Sequence, residues 1–221
     1  MALEDDPAGG QDRFLRPTAF LDGDHPAVSG FARAKAGGAL GPVEKARRLF
    51  LAVRDDILYD PYGIEWEAAG FRASRCLERG GGYCVTKAVL LAACARASGI
   101  PARLGFADVI NHLNAPRLRE IMETDLFVWH GYAELRLSGR WIKATPAFNQ
   151  SLCGKIGVEP VRFDGKHDAL MPPTDLDGRS FMEYVRDRGR YDDVPFDAIL
   201  EDTRAAYPKA FEAPASGKDR S

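Results

Sequence analysis

One apolar helix sets the first constraint on how this chain can fold. Residues 83–98 are rich in Ala, Val and Leu, and three glycines at positions 80–82 precede them. Gly99-Ile100-Pro101 follows, and a glycine with a proline just beyond it ends a helix. A helix that is apolar on most sides must be buried, so this segment predicts a core that other elements surround.

The segment that follows this helix predicts antiparallel strands. Residues 103–110 predict one strand, and residues 126–137 predict another because apolar side chains alternate there. Ser138-Gly139 is a two-residue turn signal that leads into a third strand at 140–145. Such a turn pairs Leu137 with Arg140 and, further along, Tyr132 with Thr145. A buried helix followed by a hairpin indicates an α+β fold.

The rest of the chain is predicted from weaker patterns. Residues 44–59 carry an apolar stripe at helical spacing and end at a turn, so we expect a helix there. We also expect short helices at 177–188 and 195–206, and loops over most of 147–173.

No linker divides the middle of the chain, so we expect a single domain. Residues 1–12 and 213–221 are rich in small and polar residues and predict disordered ends. The predicted domain therefore spans residues 13–212.

Charge and cysteine content exclude several classes of protein. Thirty Lys and Arg against 32 Asp and Glu give a net charge of -2, which offers nothing to attract nucleic acid or an anionic membrane. The longest apolar stretch, 85–97, contains Lys87 and Arg96, so no membrane span is predicted. The N-terminus lacks a signal-peptide pattern, so we expect a cytoplasmic protein with reduced thiols.

The sequence predicts no metal or cofactor. No pair among Cys76, Cys94 and Cys153 has the spacing of a zinc site, and these thiols are expected to serve packing. The glycines at 80–82 lack the Gly-Lys-Ser/Thr ending of a phosphate-binding loop.

Cys84 is the candidate nucleophile because it stands at the predicted N-terminus of the apolar helix. Free N–H groups and partial positive charge at that end favour the thiolate. The glycines before it let the backbone approach a substrate and donate to an oxyanion. The alternative is that Cys84 is a small buried hydrophobe.

His130 is the candidate base, since it lies in the best-patterned strand. The alternative is a core histidine satisfied by a neighbour. The predicted hairpin register makes Thr145 a diagonal neighbour, and its hydroxyl can accept the ring N–H but supplies no counter-charge. His112 follows the strand after the helix, where loop residues often build sites.

Four segments in order carry a family resemblance over residues 45–150: Gly81-Gly82-Tyr83-Cys84, Gly99-Ile100-Pro101-Ala102-Arg103, Trp129-His130-Gly131-Tyr132-Ala133-Glu134, and Gly139-Arg140-Trp141 through Thr145-Pro146. With them the chain resembles a bacterial member of the transglutaminase-like superfamily, relatives of the papain-like cysteine enzymes. The resemblance implies a Cys-bearing helix packed on an antiparallel sheet that carries the His and an acid.

The resemblance also implies a catalytic triad, with one departure. Cys84 and His130 match, but Thr145 occupies the position where the family usually has Asp. Asn149 or an acid such as Asp164 could orient the imidazole instead.

The family often supplies an oxyanion donor from residues that precede the cysteine. Tyr59 and Trp66 stand at that distance, although aromatic packing is the alternative for each. Tyr83 is a further residue expected to line the site.

The function expected from these residues is cysteine-dependent acyl transfer on an amide of a peptide or protein, with hydrolysis favoured over transamidation. The alternative is a degenerate module that binds a peptide without turning it over, because Thr145 replaces the acid. The sequence leaves the oligomeric state open.

Overall fold

The computed structural model describes residues 11–212. The expected disordered stretches lie outside these residues, except that Gln11–Phe14 forms a short 3-10 helix. The helices are α1 (Pro26–Ala36), α2 (Pro42–Asp56), α3 (Ala73–Arg79), α4 (Cys84–Ala97), α5 (Pro116–Met122), α6 (Gln150–Ile156), α7 (Phe196–Ala206) and α8 (Pro208–Glu212). The strands are β1 (Leu58–Tyr59), β2 (Gly81–Gly82), β3 (Ala102–Asn111), β4 (Leu126–Leu137), β5 (Arg140–Ala144) and β6 (Met182–Tyr191).

The main sheet is antiparallel, with the strand order β5-β4-β3-β6. Leu137 pairs with Arg140 and Ala133 with Ala144, so the predicted hairpin register is confirmed over β5. Beyond Ala144 the chain leaves β4, because the Thr145 N–H donates to the carbonyl of Ala169 at 2.9 Å. The predicted pairing of Tyr132 with Thr145 therefore does not extend the ladder.

Helix α4 is the centre of the fold, as its apolar composition predicts. It contacts β3, β4 and helices α1, α2 and α3, and its side chains are buried over almost its whole length. Its Lys87 is fully buried, and the ammonium donates to the carbonyls of Arg54 at 2.9 Å and Ile57 at 2.6 Å. A buried cation requires such partners, and these bonds tie α4 to the end of α2. The α+β fold with a Cys-bearing helix on an antiparallel sheet is confirmed.

Two predictions outside this centre are wrong. The segment predicted as a helix at 177–188 contains a turn and most of β6, because the free edge of β3 pairs with it. The helix predicted at 44–59 ends at Asp56, and Tyr59 lies in β1 instead. The helix predicted at 195–206 is confirmed as α7, and α6 interrupts the predicted loop region.

In the part of the chain that the structure describes, no helix is both long and apolar enough to span a membrane. That residues 13–212 form one domain stays a prediction.

Candidate active site

A short parallel ladder positions the start of α4. Leu58 pairs with Gly81 and Tyr59 pairs with Gly82. Tyr59 therefore lies beside Gly82, which is two residues before Cys84 in the chain. A Cβ at Gly82 would lie 2.3 Å from the Thr86 hydroxyl, so only glycine fits there. The Thr86 hydroxyl accepts the Tyr83 N–H at 3.1 Å, and α4 then begins at Cys84.

Close approach of α4 and β4 places the thiol against the strand. A Cβ on Gly131 would lie 2.9 Å from the Cα of Val85, so the backbones meet where Gly131 has no side chain. Burial raises the pKa of the Cys84 thiol, and at this contact the backbone N–H of Gly131 lies close enough to the thiol to lower it. The predicted nucleophile and the predicted base both line the cavity beside this contact.

A bulge in β4 sets the backbone just before His130. Ala107 pairs with His130, and Val109 pairs with Phe127, so two residues of β4 oppose the single residue Asp108. Trp129, one of those two, has φ of 59°, which is uncommon for a side chain of this size. The strict alternation predicted along this strand is therefore broken at Trp129.

A buried charge network holds this bulge. The Asp108 carboxylate accepts the Trp129 N–H at 3.0 Å and pairs with Arg188. Arg188 also pairs with Asp202, which accepts the indole N–H of Trp129 at 2.8 Å. The guanidinium of Arg188 lies 4.7 Å from the indole ring centre. These contacts fix a backbone conformation that costs free energy by itself.

Cys84 and His130 line the same cavity, whose volume is about 380 Å³. Tyr59, Trp66 and Tyr83 line it as well, so the structure brings five of the predicted site residues together. The Cys84 residue is 8% exposed and His130 is 5% exposed, so the reacting groups lie inside the protein.

Helices α5, α7 and α8 form a helical wall of this cavity. Leu118 comes from α5, Ile199 from α7 and Phe211 from α8. The wall is anchored in two places. The Phe211 ring packs 4.8 Å from Trp66. The hydroxyl of Tyr207 accepts the Val128 N–H at 2.6 Å. Sequence analysis missed this contribution because α8 carries no motif.

Burial decides the protonation of the thiol. It raises the pKa of Cys84 to about 11, although the backbone N–H groups of Gly131, Val85 and Cys84 itself lower it. The helix terminus therefore acts in the predicted direction, but desolvation is larger. The resting side chain is a thiol at neutral pH.

His130 is held neutral by the same effect. Burial lowers its pKa to about 4, and no charged partner opposes this. Its Nε2 and the Thr145 hydroxyl are both buried and form no hydrogen bond with any group in residues 11–212 that meets normal geometry. Although burial raises the pKa of Tyr184, the Thr145 hydroxyl lies close enough to the Tyr184 hydroxyl to lower it, and the Tyr184 ring packs edge-on at 5.8 Å from His130.

The other candidates for orienting His130 have different partners. Asn149 accepts the Tyr59 N–H at 3.1 Å and donates to the Ser151 hydroxyl at 2.6 Å, so it joins β1 to the start of α6. Asp164 is bound to His167 at 2.7 Å on the surface. Neither residue lines the cavity.

The structure corrects the expected placement of His112. Its side chain is exposed, and its Nε2 lies 3.3 Å from a carboxylate oxygen of Glu183 rather than in the cavity. The reason is that β3 ends at Asn111, and His112 leaves the sheet beside the start of β6.

Tyr184 is the residue beside the site that sequence analysis did not identify. The sequence signal is weak, because Glu183 separates Met182 from Tyr184 but the apolar Val185 follows and breaks the alternation. Between residues 11 and 212, no group of three or more metal-ligating side chains comes together.

A family model of the transglutaminase-like superfamily matches residues 29–146, which is more than half of the chain. The chain belongs to the transglutaminase-like superfamily. The match includes α4 and the hairpin, so it covers both Cys84 and His130. A comparison with curated proteins gives no significant match for this superfamily member.

Solved structures similar to this superfamily member include a proposed cysteine protease from Cytophaga hutchinsonii. Its TM-score is 0.55 and its identity 17%, and the match covers 87% of this chain and 50% of that chain. A proposed protease from Parabacteroides distasonis has a TM-score of 0.39 and 16% identity, and covers 57% of this chain and 26% of that chain. This chain thus spans half or less of the length of each. The similarity to the Cytophaga hutchinsonii structure shows a shared fold.

Proposed function

We propose that this protein is a cysteine-dependent enzyme that hydrolyses an amide bond through Cys84 and His130. The observation that carries the proposal is their convergence on one cavity, where the Gly131 N–H also acts to lower the pKa of the thiol. Membership of the transglutaminase-like superfamily supports cysteine-based chemistry in general. The choice of hydrolysis and the roles of the two residues are part of the proposal.

The neutral states of both groups define the first step. Because the pKa of Cys84 is about 11 and that of His130 about 4, neutral imidazole takes the thiol proton as sulfur attacks the carbonyl carbon. An S–C bond forms, and the carbonyl oxygen becomes an oxyanion. Backbone N–H groups at the start of α4 are the donors available to it.

The remaining steps return the enzyme to its starting state. The imidazolium of His130 gives its proton to the amine as the C–N bond breaks, leaving an acyl-thioester on Cys84. Water then adds to the thioester with His130 as base, and its O–C bond replaces the S–C bond. The acid leaves, and the proton returns to the thiol.

Substitution of Cys84 tests the proposal. We expect Cys84→Ala to lower hydrolysis of a neutral aryl amide or p-nitrophenyl ester by about 10³-fold or more while the protein stays folded. Cys153→Ala is the matched control, since Cys153 is equally buried but lies in α6 away from the cavity. Mass spectrometry of the quenched wild-type reaction should locate the acyl group on Cys84. Equal activity of Cys84→Ala and wild type would reject the assignment.

A second candidate function is a degenerate peptide-binding module. The specific observation in its favour is Thr145, whose hydroxyl supplies neither a charge nor a hydrogen bond to His130. Such a module would bind a peptide but form no acyl-enzyme. Binding without any mass increase on Cys84 would support this candidate over the enzyme.

A further inference from the structure

The cavity is small and its walls are apolar. Its volume of about 380 Å³ is near the lower end of pockets that hold small molecules, about 300–1,000 Å³. Tyr59, Trp66 and Tyr83 line one part, and the helical wall adds aliphatic side chains such as Leu118 and Ile121. Because the thiol lies within this volume, the acyl half of a substrate must be compact and apolar.

One buried polar group in the cavity has no partner. The hydroxyl of Tyr83 is inaccessible to solvent and forms no hydrogen bond with any described residue. Burial raises the pKa of Tyr83 well above its ordinary value, so the hydroxyl keeps its proton. An unpaired buried donor is costly unless a ligand satisfies it. Tyr83 lines the same cavity as Cys84, so a polar atom of a bound substrate can supply the missing partner.

The charge of the cavity has one sign. Arg117 is the single cationic side chain among the lining residues, and no Asp or Glu of residues 11–212 lines the cavity. The Arg117 guanidinium lies 4.8 Å from the centre of the Tyr62 ring, and no described carboxylate forms an ion pair with it. By contrast, Arg119 on the same helix is bound to Asp125 at 2.8 Å.

The position of Arg117 separates the two halves of a substrate. Arg117 is exposed, whereas Cys84 is buried, so the cation stands where the cavity meets solvent. The acyl group stays on the buried sulfur during the reaction, and the amine half leaves toward solvent. A planar guanidinium that stacks on an aromatic ring and has no carboxylate partner among the described residues is suited to bind a substrate carboxylate through two hydrogen bonds.

We propose that the site takes a small N-acyl amino acid, with an aromatic or branched acyl group in the cavity and the free carboxylate of the amine half at Arg117. This inference rests on the proposed function and names the class of substrate for it. Hydrolysis breaks the C–N bond, adds water across it, and releases a carboxylic acid and an amino acid. Cationic amines are disfavoured by the same charge, so a lysine or polyamine acceptor is not expected.

Three amides with one acyl group test the charge preference. They are N-benzoylglycine, which is anionic, N-benzoylglycinamide, which is neutral, and N-benzoylethylenediamine, which is cationic. We expect kcat/KM to fall in that order, with about a tenfold advantage of the anion over the neutral amide. In Arg117→Gln the ratio of kcat/KM for the anionic amide to that for the neutral amide should fall to about one, mainly because KM for the anionic amide rises. Arg119→Gln is the matched control and should keep the ratio.

Binding to the inactive protein separates this inference from the proposed function. Calorimetry of N-benzoylglycine with Cys84→Ala should detect binding that Arg117→Gln, added to it, weakens about tenfold. If N-benzoylglycine binds through Arg117 but wild type does not hydrolyse it, the proposed ligand class is supported and the proposed hydrolase activity is rejected. If the three amides react equally well, or if Arg117→Gln keeps the same order of kcat/KM, the proposed substrate class is overturned. Cys84-dependent hydrolysis supports the enzyme in either case. Absence of both binding and turnover would overturn both.

Discussion

At the scale of single residues, the reactivity of Cys84 depends on two opposed effects. N–H groups at the start of α4 and from Gly131 favour the thiolate, while burial favours the thiol and is larger. His130 is neutral because burial acts on it without a counter-charge. Burial thus disfavours both charged forms, and Thr145 adds no counter-charge beside the imidazole, so the neutral thiol–imidazole state is favoured over the thiolate–imidazolium pair.

The pH dependence of alkylation tests this account. For a thiol with a pKa of about 11, the thiolate fraction and the rate with iodoacetamide should rise about tenfold per pH unit between pH 6 and 9, without a plateau. Thr145→Asp should raise the pKa of His130, stabilise the ion pair and increase the rate at pH 6 about tenfold. Thr145→Val, which is isosteric and adds neither a charge nor a hydrogen-bonding group, is the matched control and should keep the wild-type profile. A wild-type plateau below pH 7 would contradict the account.

At the scale of elements, the site exists because α4 and β4 approach more closely than side chains allow. Gly131 is the contact, and the missing Cβ lets its backbone come near enough to the thiol for the N–H to lower the pKa of Cys84. The bulge at Trp129 immediately precedes His130 and sets the backbone there. The ion pair between Asp108 and Arg188 supports that bulge. Helix, strand and bulge must fit together before Cys84 and His130 can meet.

Two glycine substitutions should therefore change stability in opposite directions. Gly131→Ala forces α4 away from β4 and should lower the free energy of unfolding by about 1–3 kcal/mol. Gly30→Ala lies in α1, where an added Cβ meets nothing within 4 Å, and should raise it by up to about 1 kcal/mol. Urea denaturation measures both values. A neutral or stabilising Gly131→Ala would show that the two elements adjust without cost.

At the scale of the whole molecule, the C-terminal third closes the site that the first two thirds create. The family match ends at residue 146, yet β6, α7 and α8 follow it. Strand β6 completes the sheet and brings Tyr184 beside His130, and the helical wall covers the cavity. Enclosure is also the reason that both pKa values shift.

Opening the helical wall should therefore activate the thiol. Phe211→Ala removes the ring that packs on Trp66, which hydrates the cavity and lowers the pKa of Cys84. At pH 8 the alkylation rate should rise about two- to tenfold, because each unit of pKa below its present value gives about ten times more thiolate. Leu40→Ala is the control, since Leu40 is 98% exposed. An unchanged rate in Phe211→Ala would argue that the wall does not govern the thiol.

The sequence by itself determined the buried helix and the hairpin with its register over β5, and it proposed Cys84 and His130 as the candidate pair. These features depend on turn residues, helix-end signals and periodicity, which neighbouring positions encode. Only the tertiary structure decided that Tyr59 joins a parallel ladder, that Trp129 lies in a bulge, and that His112 points away. Pairing between distant segments decides all of these. Desolvation is likewise a property of the assembled cavity, so the protonation of Cys84 could not follow from its helix alone.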